Sequence, residues 1–372
     1  MLKSKTAKWI WFFIKLAIVG GLVAWLVFSG ALDFSVLRNI HFGYFALAYL
    51  YFPLVIAVGV IRWRWLLNAQ DIHISMWAAF KLTLIGYFFN MFMPGATGGD
   101  VIKAYYIAKL NPEKKAEAAT TVFVDRALGM YGLLIIGFVA LMLQAKFFFS
   151  NNALRTIAIF FLAIICGSFI FIILFFSKKL RKLVRLEAIL NRFSAGGIIR
   201  RIDDAVMLYR SRKKLVMVVV LVSIVAHLGA LTSTLLWAKS IGVRFSGEKP
   251  HITAGQFCVV GSLALFLNAM PVSPGGMGSG EAAYAGMFNL YASGAGFKQE
   301  RKQWLTKRAT AIALLMHIAA YTVMIWGAIP YFFARKMISE ALEKSEELEM
   351  AHVPSDNSGQ NVTVKENTEG SG

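Results

Sequence analysis

The sequence predicts an all-α, polytopic transmembrane helical bundle with two broken or re-entrant Gly/Pro hairpins, and three observations carry that prediction. Of the 372 residues, 58% are hydrophobic and only 16% charged, whereas soluble domains carry about 25% charged residues. The apolar residues fall into runs of roughly 20, the length that crosses a hydrocarbon core. Two further apolar stretches end in Pro and Gly clusters instead of charged loops, and irregular backbone survives in a membrane only inside protein or beside a wet cavity.

The elements follow in chain order. The run 9–28 comes after Lys3, Lys5 and Lys8 and exceeds the roughly 7 to 15 apolar residues of a signal peptide, so it reads as a retained first span. Further spans are predicted over 42–61, 118–143, 156–176, 215–237 and 309–333, six in all with the first. The stretches 74–93 and 254–270 are the broken segments. Residues 1–337 therefore form one membrane domain, and 338–372, acidic and then rich in Ser, Asn and Gly, read as a short helix running into disorder.

The net charge of +19 comes from Lys and Arg clustered between the apolar runs, where they act as topology signals and anionic-lipid contacts and not as a nucleic-acid surface. The connector 177–214 holds twelve basic residues against three acids, which places it with the N-terminus on the cytoplasmic side, in the plasma membrane of a prokaryote (the inner membrane if Gram-negative). Its apolar residues leave a solvated loop and an amphipathic surface helix both open. Lys298, Arg301, Lys302, Lys307 and Arg308 disagree with the scheme, because they fall on the outer side if the second broken segment returns to where it started. Cys166 and Cys258 have no partner spacing for metal or redox work and are expected to pack.

The chemistry concentrates in the interruptions. The first runs Phe88-Phe89-Asn90, then Pro94-Gly95, then Gly98-Gly99-Asp100, with Lys103 one turn on; the second runs Phe266-Leu267-Asn268, then Pro274-Gly275-Gly276, then Glu281. Paired Gly/Pro-broken segments in two halves are a sequence pointer to a transporter site, and the three full spans between them make the pair a candidate inverted repeat. Pro removes a donor and Gly admits unusual backbone, so each interruption offers a helix start that attracts anions. Asp100 and Glu281 are functional candidates because charge in the membrane is costly; the alternative is N-terminal capping alone. Asp125 and Arg126 are adjacent and so do not face each other: Lys103 or Lys81 is the expected partner of Asp125, and Asp100 that of Arg126. His227 and His317, alone in apolar spans, are expected to be hydrogen-bonded packing residues.

At Gly98-Gly99-Asp100-Val101-Ile102-Lys103, Val124-Asp125-Arg126-Ala127-Leu128-Gly129 and Pro274-Gly275-Gly276-Met277-Gly278 with Glu281, the chain resembles the flippase-like family that includes the transmembrane part of lysylphosphatidylglycerol synthetase, the multiple peptide resistance factor. The resemblance covers roughly residues 9–333. It implies a domain that moves or binds a phospholipid or lipid-linked substrate, and it implicates Asp100, Lys103, Asp125, Arg126 and Glu281. The synthetase's large soluble transferase domain has no counterpart in the roughly forty residues that follow the last span, so lysyl transfer is not implied. Lys103 stands where many relatives carry Arg, which weakens bidentate phosphate recognition there.

The leading reading is a lipid translocator or lipid-binding transporter. Its substrate-binding candidates are Asn90, Gly98, Gly99, Asp100, Lys103, Asp125, Arg126, Asn268, Pro274, Gly275, Gly276 and Glu281; it has no catalytic residue, no metal and no cofactor. The alternative is a membrane-embedded transferase for a lipid-linked sugar or phosphate, or an accessory subunit of one, which no nucleotide-binding loop or metal cluster supports. A homo-oligomer or a partner enzyme stays open as a further partner.

Overall fold

The computed structural model describes residues 33–91, 93, 98–176, 198–245, 251–270, 272–273 and 275–333, together with Phe28. The expected first span, most of the connector, Pro94, Pro271, Pro274 and the acidic tail lie outside the described residues. Residues up to 330 form one compact unit; Tyr331 begins a second. The described part of the first unit is all helix and turn.

Among the described residues, five helices are long and apolar enough to cross a membrane. They are α1 (Phe42–Ala69), α4 (Lys115–Leu143), α5 (Asn152–Phe176), α7 (Lys213–Ser240) and α10 (Gln299–Ile325). Between α1 and α4 lie the short helices α2 (Met76–Asn90) and α3 (Gly98–Leu110), and between α7 and α10 lie α8 (Ala254–Asn268) and α9 (Ser279–Gly294). A further helix, α6 (Ile198–Ser211), precedes α7. The expected spans from residue 42 onward are all present: α1 ends later than expected, α4 and α5 start earlier, α7 is longer at both ends, and α10 starts earlier and closes at Ile325. The change that matters for the site is in α1, which the sequence closes at Ile61 but which continues through Arg62, Trp63 and Arg64 to Ala69.

The exposure pattern is that of a protein solvated by lipid. Met217, Leu221, Val225 and Leu228 of α7 are all exposed at one-turn spacing, as are Leu47, Leu50 and Leu54 of α1, a stripe that water would penalise. At several helix contacts small residues let the backbones approach closely, as is usual where lipid removes the hydrophobic drive between helices. A Cβ on Gly132 would lie 2.8 Å from Ser223 Cβ, and one on Gly137 would strike Phe161. Cys166, expected to pack, is exposed on α5, where the surrounding solvent is apolar.

Hydrogen bonds between loops define the two ends of the unit. At one end Lys114 donates to the carbonyl of Gln70 (3.1 Å), and Gln70 Nε2 donates to Ala205 O of α6 (2.7 Å). At the other, His41 N–H donates to Ser240 O (2.8 Å) and Lys307 Nζ meets Asp33 Oδ2 (2.9 Å). The dissenting basic cluster at the start of α10 therefore stands at the end opposite α6, and the structure supplies a cause. Lys307 is held by Asp33, Arg308 donates to Ile241 O at 3.1 Å, and Arg301 and Arg308 stack on Trp304 at 4.1 and 4.0 Å. The Lys307 and Ser35 contacts hold the Asp33 carboxyl down at about 2. Because the folded carboxyl is depressed, its contribution is present above the ordinary carboxylate range and fades as pH falls towards 2. Asp33→Asn should abolish that acid-side dependence in a detergent melt while leaving the melt at neutral pH within about 1 kcal/mol of the parent.

Helix α6 is the described part of the connector, and it is amphipathic: Ala205 and Tyr209 are buried while Arg201 and Ile202 are exposed. Tyr209 packs with Leu66, Ala69 and Val219 and donates its hydroxyl to Leu66 O at 3.0 Å. The buried side of this segment thus rests on the protein. Burial pushes the Tyr209 hydroxyl up to about 12, so it stays a donor at any physiological pH.

Candidate functional site

The residues that pair α2 with α3 also build a charged chamber. Gly99 lets the two helices touch: a Cβ there would sit 1.7 Å from Gly86 O. Asn90, the last residue of α2, accepts the Gly99 N–H on its Oδ1 at 2.6 Å. The first turn of α3 is thereby served by Asn90, and Asp100 is free for another role. Asp100 Oδ2 is buried without a hydrogen bond among the described residues, 3.8 Å from Arg126 Nε.

Beside this pair lies a second, tighter one. Arg62 grips Asp125 through two bonds, Nε to Oδ1 at 2.7 Å and one terminal nitrogen to Oδ2 at 2.9 Å, and its other terminal nitrogen donates to Ser223 Oγ at 2.9 Å. Gly129, one turn after Asp125, makes room: a Cβ there would come within 3.1 Å of the guanidinium. The expectation that Lys103 or Lys81 pairs with Asp125 is therefore corrected to Arg62, which the sequence reading left just outside its span. Lys103 instead buries its ammonium 3.7 Å above the Trp63 ring.

Arg62, Lys103, Arg126, Asp100 and Asp125 surround a cavity of about 70 Å³, with Gly59, Thr83, Gly86, Tyr87 and Asn90 completing its wall. A water needs about 10 to 15 Å³ of such space, so the chamber admits a small oxyanion group or several waters. Three cations against two carboxylates leave it one positive charge in excess. Among the described residues no His, Cys, Asp and Glu cluster could hold a metal ion.

The second interruption is built differently. Glu281 accepts Gly278 N–H on Oε2 at 2.8 Å, so here the capping alternative holds, but Oε1 also lies 2.8 Å from His317 Nδ1. His317, expected as a hydrogen-bonded packing residue, is buried and hydrogen-bonded, with the carboxylate as its partner. Gly275, Gly276 and Gly278 have φ of 60°, 79° and 78°, the left-handed region open to Gly. Asn268 Oδ1 is buried near Gly276 and Gly280 without a donor. The two interruptions touch, since Gly275 N–H donates to Met93 O at 3.0 Å. The structure therefore brings Asn90, Gly99, Asp100, Lys103, Asp125 and Arg126 together, with Gly98 at the start of α3 against Met93. Asn268, Gly276 and Glu281 form a separate cluster, joined to the first group through Gly275. Gly59, Arg62, Thr83, Gly86 and Tyr87 are the chamber residues that sequence reasoning missed, as is Trp63 beneath the Lys103 ammonium.

Fold and site together define a multi-pass helical membrane protein with a charged internal chamber. The chain belongs to the family described as Lysylphosphatidylglycerol synthase TM region, whose model matches residues 12–327. It is similar to two UPF0104 membrane proteins of Methanothermobacter thermautotrophicus. One is 22% identical over 267 residues, 68% of this chain and 76% of the relative; the other is 23% identical over 291 residues, 75% and 82%. A UPF0104 membrane protein of Methanocaldococcus jannaschii is 31% identical over 110 residues, 28% of this chain and 33% of the relative. No solved structure matches.

Proposed function

We propose that the protein is a translocator or binding transporter for a phospholipid or lipid-linked substrate in the plasma membrane of a prokaryote, and that the chamber holds the phosphate-bearing head group. The observation that carries this reading is the chamber's excess cation beneath an apolar rim. Arg126 and Asp100 sit where α4 and α3 meet, and their helix neighbours Phe123, Val101 and Tyr105 are exposed to lipid. A head group can enter there sideways while its acyl chains stay in the bilayer. Arg62 is already committed to Asp125 and Ser223, so it positions Asp125. Arg126, paired with Asp100, and Lys103, above the Trp63 ring, are the two further cations placed to meet phosphate.

The paired short helices support the same reading. The order long, short, short, long occurs twice, as helices of 28, 15, 13 and 29 residues and again of 28, 15, 16 and 27. Lys114 joins the exit of α3 to the entry of α2 through Gln70 O, as a re-entrant pair requires, and two such pairs meeting at Gly275 and Met93 fit an inverted-repeat transporter. The family name adds a lipid-linked context, and phosphatidylglycerol is the natural first probe.

The test is redistribution of acyl-labelled phosphatidylglycerol between the leaflets of liposomes containing the purified full chain. Arg126→Gln removes a charge-assisted contact worth about 1.5 to 3 kcal/mol, so redistribution should fall about 10- to 100-fold with an unchanged melt. Parent-like redistribution by Arg126→Gln would sink the chamber reading. A lipid product of altered mass would instead favour a transferase.

A further inference from the structure

We propose that Glu281 and His317 form a proton-carrying pair that couples movement of the phosphate-bearing ligand to a proton gradient, an inference that rests on the translocator reading above.

Both side chains are buried, at 3% and 7% exposure. With imidazole neutral, its Nδ1–H donates to Glu281 Oε1, and the pair carries one negative charge. The ring's other side faces Gly276 and Gly280: a Cβ on Gly276 would lie 3.3 Å from His317 Nε2 and 2.7 Å from Asn268 Oδ1. That Asn268 oxygen is buried without a hydrogen bond among the described residues and lies on the same side of the ring, next to Gly276 and Gly280. Uptake of the proton neutralises the pair, and a one-unit change of charge is costly to accommodate in an apolar interior without rearrangement.

The part positioned to rearrange is the glycine turn. Gly278 N–H is held by the Glu281 carboxylate, and Gly275 N–H by Met93 O of the first interruption. Gly275 also packs against Asn90 O, and Asn90 fixes the first turn of α3, which carries Asp100 and Lys103. A change in charge at Glu281 therefore reaches the chamber through one turn and two hydrogen bonds.

Few other groups face the pair. From α10 Tyr321 stacks on the imidazole at 6.1 Å, and from α9 Tyr284 turns its hydroxyl to Met316 Sδ. From α8 comes only Asn268. Helix α5 meets the far end of α9 through Leu154. Thr234 of α7 also contacts Met316, and Tyr49 of α1 bonds Thr322. Tyr87 of α2, Asp100 and Lys103 line the chamber instead.

Two measurements test the proposal. In the full chain with nitrogen-15 histidine, the resonance lost in His317→Gln should change protonation state across the pH range in which the chain stays folded, and that change should be displaced in Glu281→Gln. An imidazole that holds one protonation state over that range is structural, and the proposal is overturned. In phosphatidylglycerol and phosphatidylethanolamine liposomes, a step from about pH 7.5 inside to about pH 6 outside should enrich the labelled phosphatidylglycerol severalfold in one leaflet. A protonophore should collapse the enrichment, and in Glu281→Gln and His317→Gln the ratio of gradient-driven to gradient-free redistribution should fall to unity. Redistribution that ignores the gradient overturns the coupling and leaves the translocator reading standing. Absence of redistribution under every condition overturns both.

Discussion

Replacing Arg62 by Met is expected to destabilise the protein by about 3 to 5 kcal/mol, because it strands Asp125 as an uncompensated buried carboxylate. Asp125 is 9% exposed and receives two bonds from one guanidinium, which Ser223 holds in place. Arg62→Lys should recover little, since an ammonium cannot reproduce a bidentate fork. The diagnostic variant is the pair Arg62→Met with Asp125→Leu. Removing both members of a buried ion pair is often neutral or stabilising, so the double variant should melt near the parent in detergent while the single variants do not. Its redistribution of phosphatidylglycerol should nevertheless fall, because Arg126, Lys103 and Asp100 then line a chamber without the Arg62–Asp125 pair that forms its other charged wall. A double variant that melts as low as the singles would show that the pair is not what stabilises this region.

How far this arrangement could be read beforehand depends on distance along the chain. Length and hydropathy set the long helices, because a run of apolar residues near the bilayer's thickness has few other uses. The Gly98-Gly99 and Pro274-Gly275 clusters marked the interruptions, since local backbone chemistry is written locally. Arg62 was lost because the span was closed at its first charge. The signal that could have found it was the buried Asp125 itself: a carboxylate in mid-span needs a cation, and Arg62 follows an unbroken apolar run that leaves the helix no reason to stop. The Glu281 and His317 contact spans 36 residues, and two lone polar residues in different spans carry no register that sets them at the same depth. That pairing comes from how α9 packs on α10, which composition does not encode.

Gly99→Ala is the second change with a large expected effect. The added methyl would lie 1.7 Å from Gly86 O, 2.6 Å from Gly86 C and 2.9 Å from Asn90 Oδ1, and neither backbone can give way as the end of a long side chain could. Helix α3 must retreat from α2, at a typical overpacking cost of about 1 to 3 kcal/mol. Retreat also stretches the Gly99 N–H bond to Asn90, with about 1 kcal/mol more. Because α3 carries Asp100 and Lys103, the chamber loses its geometry even in molecules that stay folded. The control is Gly59→Ala, also on the chamber wall. No atom lies within 4 Å of its added Cβ, and Ala is favoured over Gly inside a helix by about 0.5 to 1 kcal/mol, so this variant should melt at or above the parent. Yield and melting in mild detergent decide the comparison. If Gly99→Ala and Gly59→Ala behave alike, the close approach of α2 and α3 at Gly86 is not the contact that sets the chamber.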